Sequence, residues 1–405
     1  MRACIIDCTD DKFMTRGMTR RTSSSAYSTG MKCIEDDYLL KYGGNFIPKT
    51  SLDEIKRYDV AFLSLTSVQE VESFIKGVDK DDYRKNRCKI IAGGAGCINI
   101  YSIIDYIDIA VFGRCDNSQI IDILNGKYAE NVWVKENDFE CSGSYKVGEF
   151  KEPKKHFETG SIGCRRDCYY CQYTNVRTHD NKPYSPQKGA AETDIWASDF
   201  TTPRVYTTAI DGLTEKTRMM VNKPITDKYL VKKISSFYSE GNRNRTIGIK
   251  LYNIVGYPWE TPETVENDFK TIVEMLSKID RRTGKWRCNI SFQNTPFSPE
   301  PLTPMQDCIV DVDMNFRKSL LYKYEGVDLR MRSTNFHQSG LTRAHRIAIN
   351  RCEYKSRDDV RSFILDRKKI KDITHILTAQ NPIKYLQHTK DHKNVDFSEY
   401  EKKRS

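Results

Sequence analysis

The 405-residue sequence predicts an α/β fold: a parallel-sheet domain, then a barrel-type α/β domain, then a mostly helical C-terminal extension. Three observations carry this expectation. Short apolar runs alternate with helical patterns through about residue 126, the same alternation resumes after residue 155, and residues 127–153 between them read as a crossing linker that ends at Pro153. Apolar strands separated by helices form parallel sheets, because each helix carries the chain back across a sheet face and covers it. The expected divisions are 1–130, a linker over 131–154, 155–335, and an accessory segment over 336–405.

In the first domain, Ala3-Cys-Ile-Ile-Asp7 and Asp59-Val-Ala-Phe-Leu-Ser-Leu65 read as buried strands. Val68, Val71, Ile75 and Val78 then recur at helical spacing. Cys88 to Ala92 gives a third strand before Gly93-Gly94-Ala95-Gly96, and Ile109 to Phe112 a fourth before a helix over Ser118 to Leu124. The glycine run is a weak phosphate-binding signal, since strand-end turns commonly contain glycine and the full dinucleotide fingerprint is not visible. Residues 9–50, rich in Thr, Ser, Arg and Gly, read as a surface loop, with a basic lid over the site as the functional alternative.

After residue 155 there are six candidate strands: 155–160, 194–199, 204–210, 246–256, 286–293 and 327–331. The clearest helix starts at Thr261 as N-cap with Pro262 in its first position, and carries Val265, Phe269, Ile272, Leu276 and Ile279 on one face. Parallel strands joined by helices place functional groups at the C-terminal strand ends. Past about residue 336 the chain is charged, and it is expected to cross the barrel mouth or to help bind substrate. His388 and His392 there read as a solvated helix face.

A hydrophobic fraction of 38% is enough for globular cores, and no apolar run reaches the length of a membrane span. The expectation is a soluble, cytoplasmic protein without a membrane partner. Thirteen cysteines in so long a chain do not form the disulfide framework of a short secreted domain, so reduced thiols and a metal site are expected. The formal net charge of +10 admits a nucleic-acid or other anionic partner without requiring one.

Function concentrates in Gly163-Cys164-Arg-Arg-Asp-Cys168-Tyr-Tyr170-Cys171-Gln172. Three thiolates at C-x3-C-x2-C in one tight loop can surround a small metal centre, and four-iron clusters are held by cysteine thiolates, normally four. Three ligands leave one iron open to a small molecule. Zinc with His179 as a fourth ligand, or unliganded thiols, are the other readings of the same spacing.

This motif, with an aromatic residue before its last cysteine, resembles the signature of radical S-adenosylmethionine enzymes. The resemblance implies that Cys164, Cys168 and Cys171 ligate a [4Fe-4S] cluster whose open iron is chelated by S-adenosylmethionine, with the Tyr170 backbone approaching the adenine. It also implies reductive cleavage to a 5′-deoxyadenosyl radical, for hydrogen abstraction or methylation, and an external one-electron donor of flavodoxin or ferredoxin type. The core of that family is a partial (β/α)6 TIM-like barrel. Ile249 to Glu260 resembles its strand and turn beside the adenine, placing Ile254 and Gly256 there. Val205 to Arg218 resembles the segment that reaches the ribose and carboxylate, with Asp211, Glu215 and Arg218 as candidates. The prolines over Asn294 to Gln306 resemble a substrate-facing turn, with Asn294 on the rim. The Gly-Gly-Glu-like turn that usually binds the methionine amino group is absent, and Asp199 is the best substitute.

The N-terminal segment resembles the Rossmann-like, cobalamin-binding-type domain preceding many such cores, on the residues Ile90 to Ala95, Asp108 to Gly113 and Asp116 to Leu124. There is no histidine before His156 and hence no D-x-H-x-x-G ligand, which leaves cobalamin binding open. Leu63 to Ser67 has no cysteine, against the second cluster of methylthiotransferases, despite Cys8 and Cys97. Cys4, Cys33, Cys88 and Cys115 read as buried or incidental. The substrate, a small molecule or nucleic acid, is left open, and a non-catalytic zinc or iron-sulfur module that binds nucleic acid is the alternative function.

Overall fold

The structure is a computed structural model that describes residues 2–8, 45–48, 54–65, 67–78, 88–112, 117–129, 131–135, 145–146, 168–172, 205–236, 248–280, 282–283, 286–287, 290–314, 316, 318–320, 332–334, 340–383 and 386–387. The chain divides into two compact units. One comprises Met1–Glu158, Glu300–Leu302 and His345–Asp391, and the other Thr159–Pro299, Thr303–Ala344 and His392–Ser405.

The first unit is built on β1 (Ala3–Asp7), β2 (Asn45–Pro48), β3 (Val60–Ser64), β4 (Lys89–Gly93), β5 (Ile109–Val111) and β6 (Val132–Val134), in the spatial order β2-β1-β3-β4-β5-β6. All neighbours are parallel except β5 and β6. The central strands are fully apolar where buried, as Val60 to Leu63 and Ile90 to Ala92 show. Two strands of this sheet were not foreseen. β2 falls within the expected loop of 9–50 and β6 within the expected linker. Each is short and lies at a sheet edge, where one neighbour suffices and where the terminal Pro48 costs no central ladder bond.

Helix α1 (Val68–Val78) buries Val71, Phe74, Ile75 and Val78, spaced three, four and seven residues from the first. Helix α2 (Asn117–Leu124) returns across the sheet, and Ile120, Ile123 and Leu124 pack on Val132 and Val134. Gly94 has φ 108, and a Cβ there would stand 2.3 Å from the Leu65 carbonyl oxygen. One at Gly96 would stand 2.6 Å from that of Ser67. The glycines thus let the loops after β3 and β4 touch, and Gly96 N donates to Leu65 O at 2.8 Å.

The segment His345–Asp391 belongs to this unit. Asn99 Nδ2 donates to the carbonyls of Asn350 and Cys352, each at 3.0 Å. From α6 (Arg357–Ile364), Arg361 donates to Ser102 O at 2.7 Å, and Arg361 and Arg357 both bind the Asp105 carboxylate. Burial would raise the Asp105 carboxyl, but these two arginines outweigh it and hold it below the usual range. Asn350, Cys352, Arg357 and Arg361 therefore pair with the first sheet's crossover segment, a partner the sequence did not indicate.

The second unit contains a four-stranded parallel sheet in the order β10-β9-β8-β7: β7 (Val205–Ala209), β8 (Gly248–Val255), β9 (Ile290–Pro296) and β10 (Arg332–Thr334). Helix α5 (Pro262–Ser277) begins at the expected N-cap Thr261, which forms a capping box in which Thr261 and Thr264 satisfy each other's backbone N–H. Its Val265, Phe269, Ile272, Val273 and Leu276 pack on Ile249, Leu251, Val255, Ile290 and Phe292 of the sheet, with Phe269 edge-on to Phe292 at 5.3 Å. Residues 155–160, 194–199 and 327–331 lie outside the described residues, so four parallel strands stand described where six units were expected. Among the described residues no helix is long and apolar enough to cross a membrane.

Candidate functional site: a cysteine turn at the strand ends

The alternation of β8 and β9 sets two chemically different faces. Leu251, Asn253 and Val255 pair in register with Phe292, Asn294 and Pro296, and these are buried on the side of α5. Lys250, Tyr252 and Ile254 pair with Ser291, Gln293 and Thr295 on the opposite side, all only half-buried. Parallel sheets are ordinarily covered on both faces by apolar side chains, so a half-exposed face carrying lysine, tyrosine, serine, glutamine and threonine is suited to a polar ligand. Lys250 Nζ lies 4.9 Å from the centre of the Tyr252 ring on that face.

Beside Ile254 sits the turn Cys168–Cys171, closed by Cys171 N donating to Cys168 O at 3.2 Å. Two long-range backbone bonds pin it: Tyr169 N donates to Val221 O at 3.1 Å, and Met305 N donates to Tyr169 O at 3.2 Å. Tyr169 and Tyr170 pack against Val221, Tyr257, Phe297, Met305 and Cys308, with Ile254 and Trp259. Cys168 is 3% exposed and Cys171 is half-buried.

Asp211 follows β7 in the left-handed region, at φ 50, which aspartate tolerates better than most residues. Its carboxylate oxygen Oδ2 accepts the Tyr170 hydroxyl at 2.5 Å and the Lys223 ammonium. Its carbonyl accepts the Tyr257 hydroxyl at 2.8 Å. Burial, with Asp211 and then Cys168 adding to it, pushes the Tyr170 hydroxyl well above the usual tyrosine range.

The Gly256 turn is closed on itself. Glu260 Oε2 accepts Gly256 N at 2.6 Å and Tyr257 N at 3.2 Å, and Arg343 donates to the carbonyls of Gly256 and Phe297, both at 2.6 Å. Glycine is required because φ is 78 and a Cβ would lie 2.7 Å from the Phe316 ring. Full burial raises the Glu260 carboxyl to about 8 despite its two backbone donors.

The expected residues thus divide. Cys168, Tyr170, Cys171, Asp211 and Ile254 come together at one end of the sheet. Cys164, Asp199 and His179 lie outside the described residues. Glu215 Oε2 accepts Asp227 N at 2.7 Å, at the start of α4 (Asp227–Ser236). The Arg218 guanidinium, fully buried in α3 (Glu215–Met220), donates to the carbonyls of Ile225, Gly212 and Leu213 at 2.6, 3.0 and 3.2 Å and pairs with Asp227. Both side chains tie α3 to α4 rather than opening toward a ligand. Asn294 accepts from Asn253 Nδ2 at 3.0 Å on the α5 side, so strand alternation turns it away from the cysteine turn and from the expected rim. At Gly256 the close neighbour is Phe316 of the same chain.

Lys223, Tyr257 and Glu260 were not named as site residues from sequence, although Tyr257 and Glu260 end the Ile249–Glu260 stretch that resembles the turn beside the adenine. Among the described residues no group of three or more His, Cys, Asp or Glu side chains is gathered for a metal. The two described thiols of the motif on one tight turn are soft donors that fit an iron-sulfur or zinc centre. For cobalamin, residues 1–155 offer no histidine, and Gly94 and Gly96 are accounted for by loop contacts. Cys4, Cys8, Cys88 and Cys97 are buried, and burial pushes the Cys88 thiol up to about 12, so these are packing residues.

No family model matches the chain. Among curated proteins, an uncharacterized protein of Methanocaldococcus jannaschii is 20% identical over 358 residues, covering 70% of this chain and 77% of that protein. Among solved structures, the chain is similar to the cobalamin-dependent S-adenosylmethionine radical enzyme OxsB with aqua-cobalamin bound, at a TM-score of 0.36 and 9% identity. The TM-score is 0.29 at 10% identity for the form with aqua-cobalamin and S-adenosylmethionine bound, and 0.33 at 9% for the apo form. Each covers 96% of this chain, while the chain spans 58% of theirs.

Proposed function

We propose that this protein is a radical S-adenosylmethionine enzyme in which Cys164, Cys168 and Cys171 hold a [4Fe-4S] cluster. The observation that carries the reading is the Cys168–Cys171 turn, with Cys168 buried and Cys171 half-buried, seated among tyrosines at the C-terminal edge of a parallel sheet. With cluster and S-adenosylmethionine bound, the chemistry supplied is one-electron reductive cleavage of the sulfonium to a 5′-deoxyadenosyl radical, for hydrogen abstraction or methylation.

The protein's own part is placement and exclusion of water. Tyr169 and Met305 hold the turn by backbone bonds, and Tyr170, Tyr257, Phe297 and Trp259 surround it with apolar surface. Ile254 and the Tyr170 backbone would face the adenine, and Asp199 would reach the amino group. Glu215, Arg218 and Asn294 would shape the scaffold around it. The half-exposed face of Lys250, Tyr252, Ser291, Gln293 and Thr295 would line the interior of a partial six-strand barrel and meet the substrate. An external flavodoxin- or ferredoxin-type donor would deliver the electron.

Anaerobic reconstitution with iron and sulfide tests the proposal. A brown protein that releases 5′-deoxyadenosine only with dithionite, and loses both properties in Cys164→Ala, is the expected outcome. A colourless protein holding one tight zinc overturns it.

A further inference from the structure

We propose that Asp211 and Lys223 form a charged latch on the cysteine turn. In it, Asp211 positions the turn through the Tyr170 hydroxyl, and the two opposite charges set the reduction potential of a cluster held there in opposing directions. This rests on the iron-sulfur reading above and adds to it residues that are not ligands.

The latch is built from three sides. The Asp211 backbone is fixed by the Tyr257 hydroxyl on its carbonyl, and by its own N–H toward Tyr252 O at 3.4 Å. One carboxylate oxygen then receives both Tyr170 and Lys223. The backbone of Lys223 is held in turn by its N–H donating to Arg218 O at 2.8 Å. Side-chain exposure is 3% for Lys223 and 9% for Asp211, so bulk water screens neither charge well.

Tyr170 lies on the turn between Cys168 and Cys171, so anchoring its hydroxyl restrains the backbone that carries both thiols. A buried ion pair is a poor source of stability compared with apolar packing, since both charges lose their hydration. Next to a redox centre it has a use. Reduction adds negative charge, which the Lys223 ammonium favours and the Asp211 carboxylate opposes, and cluster potentials respond to local charge and hydrogen bonding.

The test uses the full chain and the variants Tyr170→Phe, Asp211→Asn, Lys223→Gln and the Asp211→Asn/Lys223→Gln double variant. In metal-free protein, peptide-resolved iodoacetamide labelling reads opening of the turn. Tyr170→Phe, which alters no packing volume, and Asp211→Asn should each raise Cys168 labelling about tenfold, the effect of one lost charge-assisted hydrogen bond. Unchanged labelling overturns the latch.

In reconstituted protein, an EPR-monitored titration should show a lower midpoint potential in Lys223→Gln, a higher one in Asp211→Asn, and an intermediate one in the double variant. Shifts of one sign in both single variants indicate mere loosening and overturn the electrostatic role, as does no shift. A wild-type chain that takes up no cluster overturns the proposed function and the electrostatic role with it. Labelling of the metal-free chain still decides the positioning role of Asp211.

Discussion

Replacing Glu260 with glutamine should change how stability depends on pH more than it changes stability itself. Glu260 is 1% exposed, and its carboxyl lies at about 8 instead of the usual value near 4.5, because burial disfavours its charge more than the Gly256 and Tyr257 N–H groups favour it. The folded state therefore holds a proton that the unfolded chain releases between those two values. Stability contributed by this proton is complete below about pH 4.5 and is lost as pH rises toward 8. The loss amounts to about 1.4 kcal/mol per pH unit in that window, up to about 5 kcal/mol in all, with relaxation of the site reducing the total.

Glutamine resembles the protonated acid and keeps one oxygen for both N–H groups. Urea unfolding of wild type and Glu260→Gln at pH 5, 6, 7 and 8 should find the two close at pH 5, with the variant gaining steadily toward pH 8. Taking the difference at each pH cancels the groups common to both proteins. A difference that stays flat from pH 5 to 8, or a variant that falls behind as pH rises, would refute the assignment of a neutral buried Glu260.

Two further substitutions separate scaffold from ligand contact. Arg218→Met should destabilise the fold by about 3–5 kcal/mol, since three buried carbonyls lose a charged donor, and Arg218→Lys should recover little because an ammonium cannot fork to them. Chemical denaturation measures this, and a variant of wild-type stability that fails to bind S-adenosylmethionine would return Arg218 to the cofactor. Gly256→Ala should lower the melting temperature, because the positive φ and the 2.7 Å approach to Phe316 together impose strain of about 1–3 kcal/mol. An unchanged melting temperature would mean that the turn and Phe316 move apart freely.

Much of the fold was legible in the sequence where period and burial coincide. The apolar runs of β1, β3, β4 and β5 and the three-four spacing in α1 and α5 identify themselves, and Thr261-Pro262 marks the start of α5 by local capping chemistry alone. The cysteine spacing likewise placed Cys168 and Cys171 on one turn before any coordinates. Strands β2 and β6 escaped because an edge strand of three or four residues carries too short a pattern to stand out from a loop. The face of Asn294 was in principle readable, since Phe292 and Pro296 flank it at a period of two.

What local sequence determined, then, is which segments form elements and where the thiols crowd together, because hydrogen-bond periodicity, capping and turn geometry act over a few residues. Only the tertiary structure decided what those elements meet. Asp211 takes its partners from Tyr170 and Lys223, at 41 and 12 residues' separation, and Gly256 has its limiting contact with Phe316. Asn99 finds Asn350 across 251 residues. Such pairings repeat at no sequence period. They arise when a buried charge or carbonyl, denied water, must be matched by whatever side chain the packing of distant elements brings within reach.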